Sequence, residues 1–361
     1  MAKPISSFVL SVLFLILFFD SSLAIPVTYN VLSLGAESDG KTDSSKAFLD
    51  AWSKACGSTE AATVYVPPGR FLLGKVEFKG QCNNNDIVIH IDGTLVAPSD
   101  YNVIGNAGNW LMFEHVNGVS INGGTLDGQG ARLVDLQEDW KELPQWCHAQ
   151  GVKVSASGIS PNTDGIHVQS STDVTIMNSR IGTGDDCVSI GPGATNLWIE
   201  NVACGPGHGI SIGSLGKDQE EAGVQNVTVK TATFTGTQNG VRIKSWGRPS
   251  SGFARNILFQ HAIMNNVQNP IVIDQNYCPD NKDCPSQVSG VKISDVTYQD
   301  IHGTSASEVA VKFDCSSQYP CSGISMEDVK LTYNNQPAEA SCSHADGSVF
   351  GVVQPNSCLL Q

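Results

Sequence analysis

Three aspartates, Asp164, Asp185 and Asp186, are followed by His208 at the spacing that separates Asp164 from Asp186, 22 residues. Carboxyl groups gathered at one place cannot all ionise at low cost, so at least one keeps its proton beside charged neighbours. A protonated and an ionised carboxyl on either side of one bond is what acid–base hydrolysis of a glycosidic linkage needs. If the reaction inverts, the two groups stand about 6.5–9.5 Å apart, leaving room for a water. Further on, Arg242 and Lys244 alternate with Val241 and Ile243, which puts two cations on one outward face. Such a pair suits carboxylates on a ligand, with Arg able to bind them bidentately. Tyr277 closes the stretch Ile271-Val-Ile-Asp-Gln-Asn276 and could stack on a sugar or hydrogen-bond it. Each feature also has a plainer reading. Asn162-Thr163-Asp164 and Gly184-Asp185-Asp186 are good turn sequences, His208 could be a structural histidine, and the cations could form a solvated ion-pair face. The glycines flanking His208 favour close approach of a ligand.

Bringing these residues together is the work of a repeat. Asp164-Gly165-Ile166-His167-Val168 is followed by Asp186-Cys187-Val188-Ser189-Ile190, then His208-Gly209-Ile210-Ser211-Ile212, then Asn239-Gly240-Val241-Arg242-Ile243. The units lie 22, 22 and 31 residues apart. A period in the twenties with β-branched residues predicts a solenoid of β-coils. Equivalent positions on neighbouring coils then lie about 4.8 Å apart, and Asp164, Asp186 and His208 form a column on one face. A second phase, a turn residue before alternating apolar positions, recurs at Gly118, Gly151, Asp173, Asn196, Asn226, Asn256, Gly290 and Gly323. Gly, Asn and Asp tolerate left-handed geometry, and the alternate valines and isoleucines point inward. A β-sandwich would not keep two strands in step through eight repeats.

The rest of the chain fits this plan. Tyr29 to Leu34 alternates like a strand. Thr42 or Asp43 offers a cap to an amphipathic helix from Ser44 to Ala55, placed to cover the open end of the solenoid. Residues 1–24 read as a signal peptide, with Lys3, an apolar run and Ser22-Leu23-Ala24. That run is well short of the about 20 residues that span a bilayer. Residues 25–361 then form one secreted domain. Thirty-six glycines and only 16% charged residues suit turn-rich β structure, and a formal charge of −14 argues against nucleic acid and anionic membranes as partners. Eleven cysteines in a secreted chain predict disulfides. Short separations suggest Cys278–Cys284, Cys315–Cys321 and Cys342–Cys358, successive coils suggest Cys187–Cys204, and Cys56–Cys82 completes five pairs. Cys147 is left alone, inside a charged interval, 131–150, that lacks the repeat.

Asn162-Thr-Asp164, Gly184-Asp-Asp186, Gly207-His-Gly209 and Arg242-Ile-Lys244, in this order, resemble the four signatures of the polygalacturonases, glycoside hydrolase family 28, and plant pectinases above all. The resemblance covers nearly all of residues 25–361. It implies an all-β fold, a single-stranded right-handed parallel β-helix, and inverting hydrolysis of α-1,4-galacturonan in the cell wall by a monomer. It implies Asp185 as the general acid, Asp164 and Asp186 as activators of water, and His208 as support for the acid's protonation. Arg242, Lys244 and Tyr277 would hold the galacturonate, with Asn162 beside them. No metal or organic cofactor is implied. The departure is residues 131–150, where the family carries roughly two further coils; the coil bearing Asp164 is then expected to stack directly on the coil near Gly118. Two rival readings remain: a pectin-binding wall protein without turnover, and a calcium-dependent lyase on the same kind of helix.

Overall fold

A computed structural model describes residues 26–100, 103–104, 109–129, 145–279, 282 and 284–360. The expected signal peptide and residues 131–144 lie outside them. The chain winds as a parallel β-helix. A 19-stranded sheet is folded around two faces, and a seven-stranded sheet forms the third. Of the strand pairs, that between Cys321–Tyr333 and Gln336–Pro337 is antiparallel. The inward valines, isoleucines and phenylalanines are buried, among them Val174, Ile176, Leu197, Ile199, Val227, Val229, Ile257 and Phe259.

The turn residues confirm the second phase of the repeat and correct it at two points. Gly118, Asp173, Asn196, Asn226, Asn256 and Gly323 all take positive φ and occupy one row. Gly151 also has positive φ but lies in the next row, with Gly123, Asn178 and Asn201. The row position expected for Gly290 belongs instead to Asp295, at φ 55°. Both rows use Gly, Asn or Asp before an apolar alternation, so composition alone cannot tell one corner from the other.

At the amino end, Val27–Asn30 is a strand, and Val31–Leu34 is a 3-10 turn rather than its continuation. The helix runs Ser45–Gly57. The N-cap is Ser44, without a side-chain cap bond, rather than Thr42 or Asp43; Asp43 Oδ1 accepts the Ser45 N–H at 2.8 Å, and Thr42 is turned toward Asp39. Phe48, Ala51, Trp52 and Ala55 bury the apolar face against the first coils, where the Trp52 ring meets Phe78 at 5.3 Å and Phe113 at 6.0 Å.

All five expected disulfides are present, and Cys147 is the free cysteine. The buried side chains fall into two clusters, one around the helix and first coils, the other from Val168 onward, and Cys147 packs against both. Burial pushes its thiol up to about 12, which leaves it inert as a nucleophile. Gln145–Gln150 and Lys153–Ser155 pair directly with Asn117–Asp127, so the direct stacking expected there is present. On the third face, Leu111–Glu114 pairs only with Val76–Lys79 among the described residues, and the seven-stranded sheet begins at Ile166–Val168.

Candidate active site

The seven-stranded sheet sets the site. Its register pairs Ile166 with Val188, Val188 with Ile210, and Ile210 with Val241. Two residues before each stand Asp164, Asp186, His208 and Asn239, so the expected column forms. One residue after each lies a second polar row, His167, Ser189, Ser211 and Arg242. Alternation along a strand turns this row outward, away from the buried Ile and Val positions.

Asp186 is the centre of the cluster. It is 1% exposed. Its Oδ1 accepts from Ser211 Oγ at 2.7 Å and Arg242 Nη2 at 2.9 Å, and its Oδ2 accepts from Lys244 Nζ at 2.9 Å. Arg242 Nε also donates to Ser211 Oγ at 3.0 Å. Both cations, expected to lie open on the face, are therefore largely buried and engaged with Asp186. Burial opposes charge on Lys244, but Asp186, together with Tyr277 and Asp164, outweighs this and holds its pKa above the ordinary value. The Tyr277 ring lies 5.1 Å from Lys244 Nζ and 5.9 Å from the Arg242 guanidinium.

Asp185 has different partners. Its Oδ1 accepts the Asp186 N–H at 2.8 Å and meets His208 Nδ1 at 3.0 Å. Burial raises its pKa, but the His208 hydrogen bond and charge, with Lys244, bring it below the usual range. Asp164 is shifted oppositely. The protein packed around its carboxyl, then the charges of Asp186 and Asp185, push it up to about 7 against Lys244 and the Ser189 hydrogen bond. The residue is nonetheless exposed. Of the three acids, Asp164 is the one that burial and crowding push upward.

Asn162 is exposed, with φ 52°, at the turn before Asp164 and outside the hydrogen-bonded cluster. The glycines around His208 are required by the backbone. A Cβ on Gly207 would stand 2.8 Å from Asp185 O, and one on Gly209 2.3 Å from Asn239 O. Donor atoms of Asp185, Asp186 and His208 lie within 4.8 Å of one another, which could hold a cation. Arg242 and Lys244 already supply positive charge to Asp186 there. The sequence reading missed Ser189, Ser211 and His167 as members of the site. The signal was present, since they fill the fourth place of the same five-residue repeat.

The comparisons with known proteins agree with this geometry. The family model for glycosyl hydrolases family 28 matches residues 56–148 and 145–358. A polygalacturonase of Prunus persica is 64% identical, covering 99% of this chain and 100% of that protein. An exopolygalacturonase of Platanus acerifolia is 39% identical over 91% of this chain and 96% of that one. The Prunus alignment runs over 394 positions against 361 residues here, so at least 33 (394 − 361) fall opposite gaps in this chain. The two matched segments overlap at residues 145–148, inside the atypical interval. Among solved structures, the polygalacturonase of Erwinia carotovora ssp. carotovora shares the fold with a TM-score of 0.64 at 24% identity, covering 90% of this chain and 96% of that one. The exopolygalacturonase of Thermotoga maritima does so with a TM-score of 0.62 at 20% identity, over 84% and 88%. By its family match and by relatives aligned over nearly its whole length, the chain belongs to glycosyl hydrolases family 28.

Proposed function

We propose that this glycoside hydrolase is a secreted polygalacturonase that cleaves α-1,4-galacturonosyl linkages of pectin with inversion. The observation that carries the reading is the column Asp164, Asp186, His208, with Asp185 beside it and Arg242 and Lys244 on the next coil. The 64% identical Prunus polygalacturonase supports the substrate, and five disulfides suit an oxidising compartment. The protein acts as a monomer on a polymer laid along the face of the seven-stranded sheet. The relatives do not favour a binding protein without turnover.

In this mechanism Asp185 protonates the leaving oxygen, and Asp164 with Asp186 activates the attacking water. The free protein starts with the opposite charge pattern, Asp164 raised and Asp185 lowered. Substrate entry reconciles the two. A sugar seated over His208 and Asp185 excludes water, and a drier site favours the neutral carboxyl, so Asp185 takes up a proton as the sugar binds. That removes one of the charges raising Asp164, whose proton passes to bulk water as its carboxylate becomes the base; the acids titrate as a group. Arg242 and Lys244 keep further N–H donors beyond those given to Ser211 and Asp186. These, with Tyr277, receive the galacturonate carboxylate, and Asn162 contacts the sugar from the rim. Asp186, fixed by two cations, orients the water.

The test is incubation of the secreted protein with polygalacturonate in the presence of a chelator. New reducing ends without ultraviolet-absorbing unsaturated product support hydrolysis. Affinity without new ends points to a binding protein, and unsaturated ends that require calcium point to a lyase; either result contradicts the reading.

A further inference from the structure

Arg242 and Lys244 are less free to hold an anion than their place in the sequence suggests. Both pair with Asp186. On the next two coils Asp274 and then Asp314 stand in register with Lys244, and Lys312 stands in register with Arg242. Three cations are thus matched by three carboxylates, before Asp164 and Asp185 add their own charge. A polyanion needs positive charge that these acids do not already answer.

Arg248 has such a charge. It follows the strand Asn239–Trp246, is partly buried, and its guanidinium lies 5.1 Å from the Trp246 ring. The guanidinium has no hydrogen-bond or ion-pair partner among the described residues, which leaves its five N–H donors for a ligand. With 35 acidic residues in the chain against 21 basic ones, an unanswered arginine is not explained by a want of acids. We propose that Arg248, held over Trp246, is a specificity-determining residue that binds a second, un-esterified carboxylate of galacturonan beside the sugar held by Arg242 and Lys244. This rests on the reading of the groove as a galacturonan site.

A line of rings joins the two cation positions. The Tyr277 ring lies 5.1 Å from Lys244 Nζ, and the Trp246 ring lies 5.4 Å from Tyr277 at 71°. Trp246 Nε1 is buried without a hydrogen-bond partner, so packing against Tyr277 and Arg248 holds the indole. The rings offer apolar faces to the sugars between the two carboxylates. A guanidinium stacked on an aromatic ring keeps its planar fork ordered, so it loses little freedom when a carboxylate binds it bidentately. A methyl ester carries no charge and accepts only weaker, neutral hydrogen bonds. Arg248 therefore tells free acid from ester at the sugar it touches.

The test is calorimetric binding of a galacturonate oligomer, as the free acid and partly methyl-esterified, to Asp185→Asn protein, which holds the sugar without cleaving it. Adding Arg248→Gln should raise Kd for the free acid by about tenfold, the lower end for a hydrogen bond to a charged group. It should also narrow the gap in Kd between acid and ester. Arg248→Lys keeps the charge without the fork; it should fall between the two and covers the case of an unstable Gln variant. A residue that only props Trp246 would weaken acid and ester alike and leave the gap unchanged. That result, unchanged binding of the acid, or no binding of the acid by the parent Asp185→Asn protein, overturns the proposal. Wild-type protein that binds the acid but releases no reducing ends defeats the hydrolase reading instead, and leaves the role of Arg248 standing.

Discussion

Adjacent residues Asp185 and Asp186 do different physical work. Asp186 is buried between Arg242, Lys244 and Ser211, so Asp186→Ala leaves two cations unpaired inside the protein. Breaking a buried pair from one side costs about 3–5 kcal/mol, and a thermal or urea melt should show a loss of that size. Asp185 is partly open and bonded to His208. Asp185→Asn should leave the melt near wild type and lower kcat by roughly 10²–10⁴-fold, the contribution of a general acid. The raised pKa of Asp164 also has a sign for stability. The folded state holds this proton up to about 7, whereas the unfolded carboxyl loses it near its ordinary value of 3.8. Between those limits the folded state binds more protons, so this group's contribution to stability declines as pH rises from about 4 to about 7. Asp164→Asn should flatten that part of a Tm-versus-pH curve, and an unchanged slope would contradict the assignment. The acids, His208 and the two cations were legible as residue types at fixed spacing. That the cations turn onto Asp186 was not, because ion pairing across two coils depends on side-chain reach and burial.

The coils position the site through backbone fit at a few places. Gly209 takes φ 92°, and a Cβ there would meet Asn239 O at 2.3 Å and Gly240 O at 2.4 Å. Both strain and collision displace the strand Ile210–Leu215 that follows His208. Gly209→Ala should therefore lower the melt by more than the typical ~1 kcal/mol of a point mutation and reduce activity with it; a melt within about 0.5 kcal/mol of wild type, the usual range for a surface change, would contradict this packing. The repeat of Asp164, Asp186 and His208 could be read because every strand spends its alternate residues on the core. The third face near Leu111–Glu114 and Ile166–Val168 could not, because the interval 131–150 lacks the pattern that marks a coil. The two misplaced turns, at Gly151 and Gly290, share a cause. Corners of neighbouring rows use the same residue types, and only strand pairing separates them.

For the molecule as a whole, the charge of −14 opposes a polyanionic substrate, while in the proposed binding mode Arg242 and Lys244 attract its carboxylate locally. At 0.01 M salt the Debye length is about 30 Å and the whole negative surface acts; at 0.15 M it is about 8 Å and the local cations dominate. KM for polygalacturonate should fall as salt rises over that range, then climb again toward 1 M, where local pairing is itself screened. A KM that only rises from the lowest salt would show that the net charge plays no part. The account as a whole requires acids from two turns and a histidine from a third to act on a single linkage, with the water attacking opposite the leaving oxygen. Proton NMR of the first reducing ends released from polygalacturonate, read before mutarotation, tests that most directly. Initial β-anomers from the α-linked polymer, absent with Asp185→Asn, are predicted; initial α-anomers, or equal release by the variant, would contradict it.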